Sequence, residues 1–160
     1  MEARYHPGRA VVSAIANAIP FIVVPIVILR TLPDLLGSVL PAAVLDQLLT
    51  LESTILPLGI GVTVLAALTA FFGRGLVGRA AFGTARQVGK LAWVYFVLAG
   101  GLISLSFLGF SFFVDFQRLL YILYAAILLG ALYFVVEYFV YRRAFQMSPY
   151  PMEGYAGGPY

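Results

Sequence analysis

A helix needs about 20 apolar residues to cross the hydrocarbon core of a bilayer. Four stretches of this chain approach that length, at about 11–32, 55–72, 91–113 and 119–141. Backbone polar groups in lipid must be satisfied within the segment, so each stretch is expected to be helical. The reading is an all-α membrane protein, a four-transmembrane-helix bundle over residues 11–143. Residues 1–10 form a short tail before it. Residues 144–160, rich in Pro, Gly and Tyr, form a flexible tail after it.

Composition supports lipid as the solvent. Of 160 residues 62% are hydrophobic and 11% charged, against about 25% charged in an ordinary soluble domain. Mean hydropathy is +0.97. The first stretch is too long for the apolar region of a signal peptide, and Ala14 and Ala16, which resemble a small-residue cleavage site, have no apolar region before them. It reads as a retained span.

Basic residues give the bundle a direction. Arg4 and Arg9 precede the first span. Arg74, Arg79, Arg86 and Lys90 lie between the second and third, and Arg142 and Arg143 follow the fourth. Arg30 and Arg118 fall on the other side. Basic loops stay in the cytoplasm, so both termini are expected there, as an even number of spans also requires. The expected location is the cell membrane, with multiple crossings.

Two segments invite interfacial helices. Residues 41–51 read as a short amphipathic helix on the outer surface, or as a kinked start to the second span bent at Pro57. Residues 78–90 place Arg79, Arg86 and Lys90 on one helical face. This suits the head groups of the inner leaflet, as do Arg74, Arg142 and Arg143; a charged loop that only sets topology reads equally well. Trp93 and Tyr95 are expected to anchor the start of the third span at the interface, and Tyr138 and Tyr141 the end of the fourth.

Chemistry-bearing motifs are scarce. The absence of Cys removes disulfides, thiolate nucleophiles and Cys-type metal sites. The only histidine, His6, lies in the N-terminal tail, which argues against triads and haem ligation. No catalytic residue, metal ligand or cofactor is expected. Gly73–Gly78 matches G-x-G-x-x-G, but an apolar helix precedes it and no acidic residue follows at the required distance. These glycines read as a turn.

The polar residues inside the spans are the informative ones. Glu137 lies roughly 7 Å inside Arg142 at 1.5 Å per residue. It is open to an ion pair with Arg74, Arg79 or Lys90, or to a place on an ion or proton path. Ser13 and Asn17 sit one turn apart near Pro20 and Pro25, which free carbonyls one turn earlier. They are expected to bond across helices or to line a polar path. Small residues recur every four positions: Ala10, Ala14 and Ala18; Gly59, Thr63 and Ala67; Gly100 and Ser104; Ala126 and Gly130. Such ladders let helices pack closely in lipid.

The expected function is a non-enzymatic structural or accessory subunit of a homo-oligomer or larger membrane complex, with the bilayer and other membrane subunits as partners and no nucleic acid. The alternative is a small channel or transporter with a polar path through Asn17 and Glu137. In outline the arrangement is similar to four-span proteins of the MARVEL and synaptophysin type, which also keep both ends in the cytoplasm and in some cases carry Tyr/Gly/Pro-rich tails. The resemblance covers topology and tail composition; the cysteines typical of their outer loops are absent here.

Overall fold

The computed structural model describes residues 5–36, 42–98, 102–107 and 110–147. The element order is α1 (Pro7–Ala18), a π-helical stretch (Ile19–Val23), α2 (Val24–Leu36), α3 (Ala42–Phe71), α4 (Val77–Val97), β1 (Leu102–Phe107), β2 (Phe110–Asp115) and α5 (Gln117–Met147).

Pro7 opens α1 at a position where its missing N–H is no loss. The π-helical stretch contains Pro20 and ends two residues before Pro25. A proline ring collides with the carbonyl four residues earlier, which for Pro25 is that of Phe21. Widening the turn relieves that collision without breaking the rod. α3 is one continuous 30-residue helix with Pro57 inside it. Residues 42–51 therefore belong to the same helix as the second apolar stretch, whose candidate span is Leu48–Phe71. Gly75 has φ 83° in the turn that follows, a left-handed conformation that glycine adopts at no steric cost.

Successive helices run antiparallel. The rod from α1 to α2 crosses α3 from a His6 N–H···O=C Phe71 hydrogen bond at one end to an Arg30–Glu52 ion pair at the other. α4 turns back along α3, with Gly78 against Phe72 and Gly89 against Val62. α5 turns back along α4, with Gly83 against Phe134 and Gly130 against Gln87. The ring of Phe21 meets Trp93 of α4 edge-on at 5.0 Å. α3 thus lies between α1 and α4, and α5 lies along the far side of α4.

The third stretch departs from expectation. It is not one helix over 91–113. α4 begins at Val77 and stops at Val97, and residues 102–115 contain an antiparallel hairpin, with Ser104 opposite Phe113 and Leu102 opposite Asp115. The fold is therefore not wholly α. The cause is visible in the residues. From Val77 onward nothing interrupts a helix, so it starts early. Gly100 and Gly101 then disfavour continuation, and Ile103, Ser104, Leu105, Ser106 and Phe107 alternate with the period of a strand. Residues 78–90 correspondingly form part of α4 and pack one face between α3 and α5, through Gly83, Gln87 and Gly89, while Ala81, Ala85 and Val88 are exposed. Asp115 accepts a hydrogen bond from the Gln117 N–H (2.8 Å), capping the start of α5.

The core is thin. Among the described residues, Ile55, Val62, Ala66, Leu120 and Phe134 are its buried large or methyl-bearing apolar side chains. Ile122, Leu129, Leu132 and Phe139 on α5, and Val11, Val12 and Ile15 on α1, are exposed. Water does not tolerate apolar surface on this scale. Among the described residues, three helices are long and apolar enough to cross a membrane: Pro7–Leu35, Leu48–Phe71 and Gln117–Arg143.

Candidate functional site

The polar groups of the bundle gather along one side of α4. Arg79, Gly83, Arg86, Gln87 and Lys90 recur at helical spacing and so share a face. On α5, Glu137 is buried, its side chain only 4% exposed. Its Oε2 accepts from Arg79 Nε at 3.0 Å and its Oε1 lies 3.3 Å from Arg74 Nε. Arg79 also donates to the Thr69 carbonyl at 3.4 Å, and Tyr133 reaches Glu137 Oε1 at 3.5 Å. Both carboxylate oxygens are thus engaged. The cluster joins α3, α4, α5 and the turn between α3 and α4. Arg74, in that turn, donates to the Tyr141 hydroxyl at 3.1 Å. This hydrogen bond, followed by the charge of nearby groups, raises the Arg74 pKa above its ordinary value.

Farther along α4 the cations have no carboxylate beside them among the described residues. The Arg86 guanidinium lies over the Phe134 ring at 5.5 Å, and the Lys90 ammonium over the Phe21 ring at 5.5 Å. Cation–π contact offsets part of the cost of removing a cation from water. It does not supply a hydrogen-bond acceptor. Arg86 Nε, Trp93 Nε1 and Thr63 Oγ1 are buried and without hydrogen-bond partners among the described residues. Trp93, expected at an interface, instead packs on Phe21 in mid-bundle, because α4 starts well before residue 91.

On α1, the Ser13 hydroxyl donates to the Ala66 carbonyl of α3 at 3.1 Å. Asn17 does not cross to a neighbour; its amide donates to the Ser13 carbonyl within the same helix at 2.8 Å. The small residues divide. Gly59 lies directly under the Phe21 carbonyl, where an added Cβ would overlap the oxygen and stand 3.0 Å from the carbon. Thr63 is buried, and Ala10, Ala14, Ala18 and Ala67 are half-buried. Gly130 accommodates the Gln87 amide, whereas Ala126 faces outward. Gly100 lies outside the described residues, and Ser104 falls in β1. At the end of α5, Arg142 hydrogen-bonds the Tyr138 hydroxyl and stacks over its ring, and Arg143 is exposed.

Gln87 and Gly83 were not among the sequence candidates. Gln87 is buried against α5 and Gly83 makes room for the Phe134 ring. Reading 78–90 as a surface segment hid them. The signal was the run of small and polar residues at Gly83, Gln87 and Lys90, four and three apart.

No protein-family model, no curated protein and no solved structure matches this chain.

Proposed function

We propose that this protein crosses the cell membrane four times, with both termini in the cytoplasm, and serves as a non-enzymatic structural or accessory subunit of a homo-oligomer or larger membrane complex. α4 is the fourth crossing. Its 21 residues span about 32 Å at 1.5 Å per residue, enough for a core of about 30 Å. Its direction opposes that of α3 and α5. Arg9, Arg74, Arg79, Arg142 and Arg143 then collect at one end of the bundle and Arg30 and Arg118 at the other, which favours a cytoplasmic location for the former.

The observation that carries the subunit reading is how intramembrane polar groups are used. Ser13 ties α1 to α3, and Glu137 ties α5 to α4 and to the turn before it. These contacts hold helices together, while the outer faces of α1 and α5 stay apolar and open for further subunits or lipid. Purification in mild detergent tests this: a defined assembly is expected, and a monodisperse monomer without a co-purifying partner counts against it.

A second reading, a small channel or transporter, draws support from Arg86 and Lys90 inside the bundle. Asn17 and Glu137 are less suited to it, because Asn17 bonds within its own helix and both Glu137 oxygens face arginines. If Glu137 carries a proton- or cation-dependent flux, wild-type liposomes conduct and E137Q abolishes the conductance. No wild-type flux at any pH removes this reading.

A further inference from the structure

We propose that the inner face of α4 binds a phosphate group, held by Arg86 and Lys90 with Trp93. The inference stands apart from the subunit reading and rests on an imbalance of donors and acceptors. Three cations, Arg79, Arg86 and Lys90, line the interior side of α4, and Arg74 stands at its entrance. The carboxylate of Glu137 serves Arg74 and Arg79. Arg86 and Lys90 have only aromatic faces beside them among the described residues.

The orphaned buried atoms point the same way. Arg86 Nε and Trp93 Nε1 can only donate hydrogen bonds. Residues 86, 90 and 93 follow the i, i+4, i+7 spacing of a single helix face. Unpaired buried donors are rare and costly, and unpaired charge in apolar surroundings more so. Their common complement is an anion with several acceptor oxygens. A guanidinium fork, an ammonium and an indole N–H suit a phosphate better than a single-point halide.

A phosphate group can come from a lipid headgroup or from solution. Arg86 lies about 13 Å along α4 from Val77 at 1.5 Å per residue, and long basic side chains reach back toward the interface.

Trp93 is the only tryptophan in the chain, so its fluorescence reports on the site. The protein in phosphatidylcholine nanodiscs is titrated with inorganic phosphate at constant ionic strength. In a second arm, without phosphate, phosphatidylglycerol replaces phosphatidylcholine stepwise. A saturable change in Trp93 emission is expected in at least one arm. Response to inorganic phosphate assigns a free anion, and response to phosphatidylglycerol alone assigns the lipid. R86Q and K90Q should each weaken the response at least tenfold, and R118Q, at an exposed position on α5, should leave it unchanged. Helicity and elution volume confirm that the variants fold. No saturable change in either arm of the wild type overturns the proposal, as does equal weakening by R118Q. Co-purification of a membrane partner whose acidic side chain protects Lys90 in phosphate-free discs also overturns it, by assigning the face to a protein.

Discussion

Replacing Gly59 with alanine should destabilise the bundle by about 3 kcal/mol, the upper end of the range for overpacking a well-packed core. The added Cβ would lie 3.0 Å from the carbonyl carbon of Phe21 and overlap its oxygen. Non-bonded carbons ordinarily sit about 3.5–4.0 Å apart. The obstacle is backbone, so no rotamer change removes it; the π-helical stretch and α3 must separate. Gly61 is the internal control. It lies on the same helix, and nothing stands within 4 Å of its Cβ position. There alanine gains up to about 1 kcal/mol of helix propensity. The two variants should therefore differ by about 4 kcal/mol, close to a thousandfold in the folding equilibrium. Reversible unfolding in mixed micelles, followed by Trp93 fluorescence, measures this directly, because Trp93 packs on Phe21. G59A within about 0.5 kcal/mol of G61A would refute the close approach of the two helices, since surface changes alone reach that size.

Other substitutions should rank by what they meet. G83A drives a Cβ to 2.5 Å from the buried Phe134 ring, and G130A to 2.5 Å from the movable end of Gln87; G83A should cost about 1–3 kcal/mol and G130A clearly less, by the same unfolding assay. E137A leaves Arg79, 20% exposed, without its carboxylate, and should cost about 3 kcal/mol, the lower end for breaking a buried pair because Arg79 can still reach water. S13A removes one interhelical hydrogen bond and should cost about 0.6 kcal/mol, while N17A, which loses a bond within α1, should cost no more than S13A.

The apolar stretches at 11–32, 55–72 and 119–141 were legible because hydropathy and length act on each segment alone. The Gly59 ladder was legible for the same reason, since close packing needs small residues whatever the partner. The third stretch was not, because average hydropathy does not distinguish a helix from a strand. Alternation of Ser with Ile, Leu and Phe over 103–107 was the stronger signal there. Once that stretch was read as a helix, Arg79, Arg86 and Lys90 had to be a surface segment. The buried use of Glu137 was half legible: its need for a cation followed from its surroundings. Which arginines answered it depended on α4 entering the bundle, which no local pattern announces. The bond of the Asn17 amide to a carbonyl one turn earlier in its own helix was not legible, because the sequence does not show which of two nearby acceptors the amide takes.

The place of α4 decides the account, and the chain is suited to testing it. It contains no cysteine, so a single introduced cysteine reports only its own position. Val77 opens α4 and is exposed, Gly8 has open space at its Cβ, and Leu35 and Arg118 are exposed at the other end of the bundle. An impermeant maleimide added to sealed right-side-out vesicles should label L35C and R118C, and should label G8C and V77C only after permeabilisation. Labelling of V77C and R118C from the same side would place both ends of α4 on one face of the membrane and contradict the four-crossing bundle.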